Sequence, residues 1–126
     1  MTDNQSKKIL IVDDDKAMAH AMERALIVEN RYVVTMAYDG LDAGQKIVDD
    51  GPDLVILDIR MPGVDGYKLL TAIRNDPAHK KVKILIVSAV LDMGNVEHVR
   101  ELGADDLLPK PFANKELVAK VDRLIK

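Results

Sequence analysis

Ile9-Leu10-Ile11-Val12-Asp13-Asp14-Asp15 is the stretch that decides the fold. Four apolar residues in succession, without the polar alternation of a half-exposed strand, mark a strand covered on both faces, and such strands belong to parallel sheets flanked by helices. The same signature returns at Leu54 to Leu57 and at Ile84 to Val87. Tyr32 to Met36 and Leu107 to Leu108 are weaker runs, as expected of strands nearer an edge, and Pro109 closes the last. Between the runs the apolar period changes to that of helices. Met18, Ala21, Met22, Ala25 and Leu26 form a first stripe, and Gly44, Ile47 and Val48 a shorter second. Leu69, Leu70 and Ile73 form a third, stopped by Pro77, and Val96, Val99 and Leu102 a fourth, ended by Gly103 as a left-handed cap. Leu117, Val118, Val121, Leu124 and Ile125 form the fifth. Strand and helix alternating five times predict an α/β fold, (βα)5, with helices on both faces of a central parallel sheet.

Composition agrees with one domain and narrows the chemistry. The chain has 126 residues, 48% of them hydrophobic and 31% charged, with 18 Lys plus Arg against 21 Asp plus Glu for a net charge of −3. A mildly acidic chain without a Lys/Arg block argues against direct nucleic-acid binding, and one Phe, three Tyr and no Trp offer little to stack bases on. Zero Cys excludes a disulfide framework, thiolate metal sites and cysteine nucleophiles. No apolar run approaches the roughly 20 residues needed to cross a bilayer, so no membrane is expected as a partner. Residues 1–6 read as a flexible polar leader without the apolar stretch of a signal peptide, and residues 7–126 as the domain; a soluble, cytoplasmic protein is expected. Within these residues nothing is left over for an effector domain.

An open parallel sheet carries its ligand site beyond the carboxyl ends of its strands. Asp13-Asp14-Asp15 follows the first strand, Asp58 the third, Ser88 the fourth, and Lys110, between Pro109 and Pro111, the fifth. Each residue has a bland use of its own. Asp15 stands nearest the first helical stripe and is expected to cap that helix; Asp58 alone is a loop carboxylate, Ser88 a strand-end hydroxyl, and Lys110 a solvated turn residue. Their joint placement on one rim is what those uses leave unexplained. Two carboxylates about 4 Å apart repel by roughly 4 kcal/mol at an effective dielectric near 20. The cluster therefore asks for a divalent cation with hard oxygen ligands, for which Mg²⁺ is suited, and Lys110 neutralises what the metal does not.

The strings ILIVDDD, VILDIRMPGVDG, IVSA and GADDLLPKPF, in this order and spacing, resemble the receiver domain of two-component response regulators. The resemblance covers residues 7 to 126 and implies a flavodoxin-like sheet of order 2-1-3-4-5. It implies phosphorylation of Asp58, an Asp13 and Asp14 pair that holds Mg²⁺ with Asp14 the direct ligand and Asp13 acting partly through water, and a further metal ligand in the Arg60 backbone carbonyl. Ser88 matches the hydroxyl that bonds the arriving phosphoryl group, and Lys110 the lysine that pairs with a phosphoryl oxygen across a cis bond to Pro111. The implied partners are a sensor histidine kinase or phosphotransfer protein upstream and an effector domain or protein downstream. The implied class is a signalling phosphoacceptor, slow to dephosphorylate itself, and not an enzyme.

The sequence departs from the family at two positions. Leu107 stands where many receivers have an aromatic residue that swings inward, so coupling is expected to run through Ser88 and the fourth helix. Val90, two beyond the hydroxyl, is apolar and predicts a long-lived phosphoryl state, with Arg60 as the companion position two beyond Asp58. Arg100, Asp105, Asp106, Glu116, Lys120 and Arg123 lie on the helix 4, strand 5, helix 5 face, which resembles the dimer face of receivers that carry winged-helix domains. Rival classes fit less well. A haloacid dehalogenase type hydrolase needs Asp-x-Asp-Gly-Thr, whereas Lys16-Ala17 follows Asp15; nucleotide or flavin binding lacks any Gly in the first strand-to-helix turn. A phosphorylation-independent interaction module remains the alternative.

Overall fold

The computed structural model describes residues 6–28, 31–61, 64–89 and 93–125. In chain order the main elements are β1 (Lys7–Val12), α1 (Lys16–Ile27), β2 (Tyr32–Ala37), α2 (Gly40–Asp50), β3 (Leu54–Leu57), α3 (Gly66–Asn75), β4 (Lys83–Ser88), α4 (Met93–Glu101), β5 (Asp106–Pro109) and α5 (Asn114–Ile125). All five strands are parallel, in the order β2-β1-β3-β4-β5, so the two weaker runs do lie at the edges. Alternate residues of each strand enter opposite cores. Ile9 and Ile11 pack with Ala19, Met22, Leu117 and Val121 of α1 and α5, while Leu10 and Val12 pack with Ala43, Ile47, Leu70 and Val99 of α2, α3 and α4. A strand that reads apolar at every position is therefore buried twice.

Register carries this order to the rim. Val12 lies opposite Leu57, Leu57 opposite Ile86, and Ser88 opposite Pro109, so the residues that leave β1, β3, β4 and β5 emerge side by side. Caps set the helix starts. Asp15 accepts from the Met18 N–H at 3.1 Å, as expected, and Asp39 accepts from the Asp42 N–H at 2.8 Å.

α1 follows the expected stripe, with Met22 and Leu26 buried and Met18 and Ala25 packed against the same core, and it adds Ala19. Helix phase differs from the sequence expectation in one place. α2 buries Ala43 and Ile47 and leaves Val48 70% exposed, because the helix is turned so that Ala43, not Gly44, meets the sheet. A further element escaped the sequence reading: Arg60–Met61 and Val64–Asp65 pair as a two-residue antiparallel ribbon after Asp58. Gly103 ends the fourth helix with φ +111°, and a Cβ there would come within 2.5 Å of Arg74 Cγ.

Arg74 lies against that glycine and fastens three chain segments. Its guanidinium donates to the Gly103 carbonyl at 2.7 Å and the Val82 carbonyl at 2.7 Å, and pairs with Asp105, whose Oδ2 also accepts from the Ile84 N–H at 2.8 Å. Arg74→Ala leaves these half-buried acceptors unmet and is expected to lower unfolding free energy by about 2 to 3 kcal/mol in a urea titration. Arg74→Lys, which keeps the charge but not the planar fork, is expected to recover less than half of that loss.

Candidate functional site

The β1 and β3 exits place two carboxylates beside one ammonium. The Asp58 N–H donates to the Val12 carbonyl at 3.0 Å, which extends the β1–β3 pairing by one step and fixes Asp58 next to Asp13. Lys110 Nζ then reaches across from the end of β5, 3.0 Å from Asp13 Oδ2 and 3.3 Å from Asp58 Oδ2. The ammonium stands among the carboxylates it was expected to neutralise, slightly nearer Asp13 than Asp58. The other carboxylate oxygens are also engaged. Asp13 Oδ1 accepts from the Asp15 N–H at 3.0 Å and Asp58 Oδ1 from the Arg60 N–H at 2.9 Å. Asp13 is 1% exposed and Asp58 7%, whereas Asp14 lies open to solvent.

Burial pushes the Asp58 carboxyl above its ordinary pKa, because the charged form loses water; the Arg60 N–H and then the Lys110 charge oppose this, and Asp13 adds to it. For Lys110, burial pulls the ammonium down, but its hydrogen bond with Asp13 and the charges of Asp13 and Asp58 outweigh that, so its pKa stands above the ordinary value. The ammonium is therefore held charged against two carboxylates.

Ser88 ends β4 at 1% exposure, and its carbonyl accepts from the Lys110 N–H at 3.1 Å, so hydroxyl and lysine are tied to one another through backbone. The Lys110-Pro111 bond is cis. Arg60 opens the short ribbon and is exposed; its N–H, not its guanidinium, meets Asp58. Gly66 is a feature that the sequence did not single out. It is the first residue of α3, and a Cβ on it would stand 2.5 Å from the Ile59 carbonyl oxygen and 2.6 Å from the Ile59 Cα. Only a glycine there brings α3 so close behind Asp58. Val90, Pro62 and Gly63 lie outside the described residues, as does all but Ser6 of the expected leader.

One carboxylate oxygen from each of Asp13, Asp14 and Asp58 lies within 4.8 Å of the others. Three carboxylates against a single lysine leave an excess of negative charge, and hard oxygen donors at this spacing fit a divalent cation that keeps waters, as Mg²⁺ does. A family model described as the response regulator receiver domain matches residues 9–122.

The chain belongs to the response regulator receiver domain family.

This receiver domain is 37% identical over 121 residues to Response regulator MprA of Mycobacterium ulcerans (strain Agy99), a match covering 96% of this chain and 51% of that one. It spans about half the length of the curated relatives it matches. Among solved structures it superposes on a putative response regulator from Chloroflexus aurantiacus J-10-fl with a TM-score of 0.89 at 37% identity, covering 96% of this receiver and 98% of the other chain. Vibrio cholerae chemotaxis protein CheY4 follows the same course with a TM-score of 0.88 at 27% identity, over 95% and 99% of the two chains. The flavodoxin-like order is thus shown by the sheet and by the neighbours. Receiver domains of this family are signalling modules of two-component systems, and phosphoryl acceptance is their general function.

On the α4–β5–α5 face the receiver uses most of its charges within one chain. Asp105 holds Arg74, Glu116 Oε1 accepts from the Ala113 N–H at 2.8 Å, and Lys120 pairs with Asp106 at 3.1 Å. Arg100 and Arg123 remain exposed. Leu107 is 7% exposed and packed in the core that includes Ile86 and Val99, so this edge strand presents an aliphatic plug where an aromatic would have a ring to swing. No helix among the described residues is long and apolar enough to cross a membrane.

Proposed function

We propose that this chain accepts a phosphoryl group on Asp58 from a phosphohistidine of a sensor histidine kinase or phosphotransfer protein, in a Mg²⁺-dependent step, and switches a protein-interaction surface. The observation that carries the reading is the Lys110 ammonium held between Asp13 and Asp58 at the carboxyl ends of β1, β3 and β5. A carboxylate oxygen of Asp58 attacks phosphorus, the bond from phosphorus to the donor nitrogen breaks, and the imidazole leaves with that electron pair; an acyl phosphate remains. The attacking group is already ionised, so no general base is required. Phosphoryl transfer asks the protein chiefly for position and charge.

Lys110 would meet a phosphoryl oxygen by giving up part of its contact with Asp58. The Arg60 N–H holds the Asp58 carboxylate in one orientation during attack. Ser88 is the hydroxyl for the added group, and its backbone tie to Lys110 lets the two respond together. Asp13, Asp14 and Asp58, with the Arg60 carbonyl, would hold Mg²⁺, which when bound supplies positive charge to the phosphoryl oxygens. With Leu107 already packed, the response runs through Ser88 toward α4. Arg100 and Arg123 are the charges the α4–β5–α5 face keeps for a second copy or a downstream effector, and the cytoplasm is the compartment where such donors act.

Incubation with acetyl phosphate and Mg²⁺ is expected to add a single phosphoryl group by intact mass, and EDTA is expected to prevent it. An adduct that forms equally well with EDTA would remove the metal from this account. The absence of any adduct from acetyl phosphate and from a panel of phosphorylated kinases would leave the phosphorylation-independent module as the reading.

A further inference from the structure

His79-Lys80-Lys81-Val82-Lys83 joins α3 to β4 at the end of the sheet opposite Asp58. Backbone contacts fix its course. A short 3₁₀ turn, Pro77–His79, is capped by Asp76; Arg74 holds the Val82 carbonyl; and the Lys83 N–H donates to the Asp53 carbonyl at 3.0 Å. Val82 is 6% exposed, and that inward anchor turns its neighbours outward. Lys80, Lys81 and Lys83 are all exposed.

These lysines border an open groove of about 570 Å³ whose lining is completed by Arg74, Val82 and Asp105. Arg74 and Asp105 cancel one another, so the groove carries the charge of the three lysines. Four other lysines are tied down: Lys8 to the Asp50 carbonyl, Lys46 to Asp42, Lys110 to Asp13 and Asp58, and Lys120 to Asp106. Among the described residues no hydrogen bond or ion pair engages the ammonium groups of Lys80, Lys81 or Lys83; the one side-chain contact here, from Arg74, goes to the Lys80 backbone carbonyl at 3.5 Å. Three like charges within four residues, on a backbone that cannot spread, repel one another and are relieved by anions.

We propose that this groove is a docking surface for an acidic peptide segment of a protein partner, separate from the phosphoacceptor rim. Charge complementarity selects the occupant. Carboxylates on an extended segment can meet several lysines in turn, and side-chain carboxylates spaced along a strand match the spread of cations on a short loop. A nucleic acid fits less well, because no aromatic side chain lines the groove to stack a base and the chain as a whole is acidic, at −3. The molecule is thus polarised: carboxylates gather at the carboxyl ends of the strands and unpaired lysines at the amino end of β4.

A fluorescein-labelled octaglutamate peptide, titrated against the intact chain and followed by anisotropy, tests this. Lys80→Gln/Lys81→Gln is expected to weaken binding roughly fivefold, whereas Arg24→Gln/Lys115→Gln, which removes the same charge from exposed positions on α1 and α5, is expected to change it less than about twofold. Amide shifts on peptide addition are expected at residues 80–83 and 105. Asp58→Asn is expected to leave binding unaltered, which separates this site from the phosphorylation reading. Equal losses in the two charge variants, shifts centred elsewhere, or tighter binding of an oligothymidylate of equal charge would each overturn the proposal.

Discussion

Asp58→Asn is expected to abolish phosphoryl uptake while leaving the domain folded. The amide keeps an oxygen for the Arg60 N–H, so the backbone turn after β3 retains its hydrogen bond. What it loses is the ionised oxygen proposed to attack phosphorus, and a neutral amide is too poor a nucleophile to replace it. Stability is expected to change by less than about 1 kcal/mol in either direction, since a buried charge disappears together with one of the two carboxylate contacts of Lys110. Intact mass after acetyl phosphate and Mg²⁺ reads the first effect and a urea titration the second. A phosphoryl adduct of wild-type size on the folded variant would move the acceptor to another carboxylate, with Asp13 and Asp14 the nearest.

Lys110→Met acts on the same cluster from the other side. It removes the cation 3.0 Å from Asp13 and 3.3 Å from Asp58, and leaves two buried carboxylates facing each other with no countercharge from the chain. Breaking a buried pair from one side costs about 3 to 5 kcal/mol. The lysine side chain is 16% exposed, which admits some water to the gap, so about 3 kcal/mol is expected here. Methionine fills the space of the lysine stem, and this makes the loss electrostatic and not a matter of packing. Mg²⁺ supplies charge to the same carboxylates and is expected to raise the melting midpoint of Lys110→Met more than that of wild type. Melting curves with and without Mg²⁺ decide the matter: a variant as stable as wild type without the metal would show that the carboxylates do not repel as placed.

Which parts of this could be read from the chain follows from the physics of each. β1, β3 and β4 were legible because burial on two faces demands apolar residues at every position, and the sites beyond them were legible because register turns strand ends into neighbours. That is why Asp13, Asp58 and Lys110, far apart in the chain, could be expected on one rim. The phase of α2 was not legible. Ala43 with Ile47, and Gly44 with Val48, are both pairs at helical spacing, and nothing in one sequence says which small residue faces the sheet. The ribbon at Arg60–Met61 is too short to show a period. Arg74 was invisible for another reason: its partners are mostly backbone carbonyls, which every residue possesses, so the sequence carries no mark of the contact.

The backbone contact of Gly66 with Ile59 makes the pocket lopsided. On the α3 flank main chain lies on main chain, with no rotamer to turn and no gap to close, and close-packed matter of that kind transmits a push without absorbing it. On the Ser88 flank the wall is a side chain at a strand terminus. A phosphoryl group accepted at Asp58, as proposed, would therefore meet an anvil on the α3 flank, and any recoil would have to be taken up on the other.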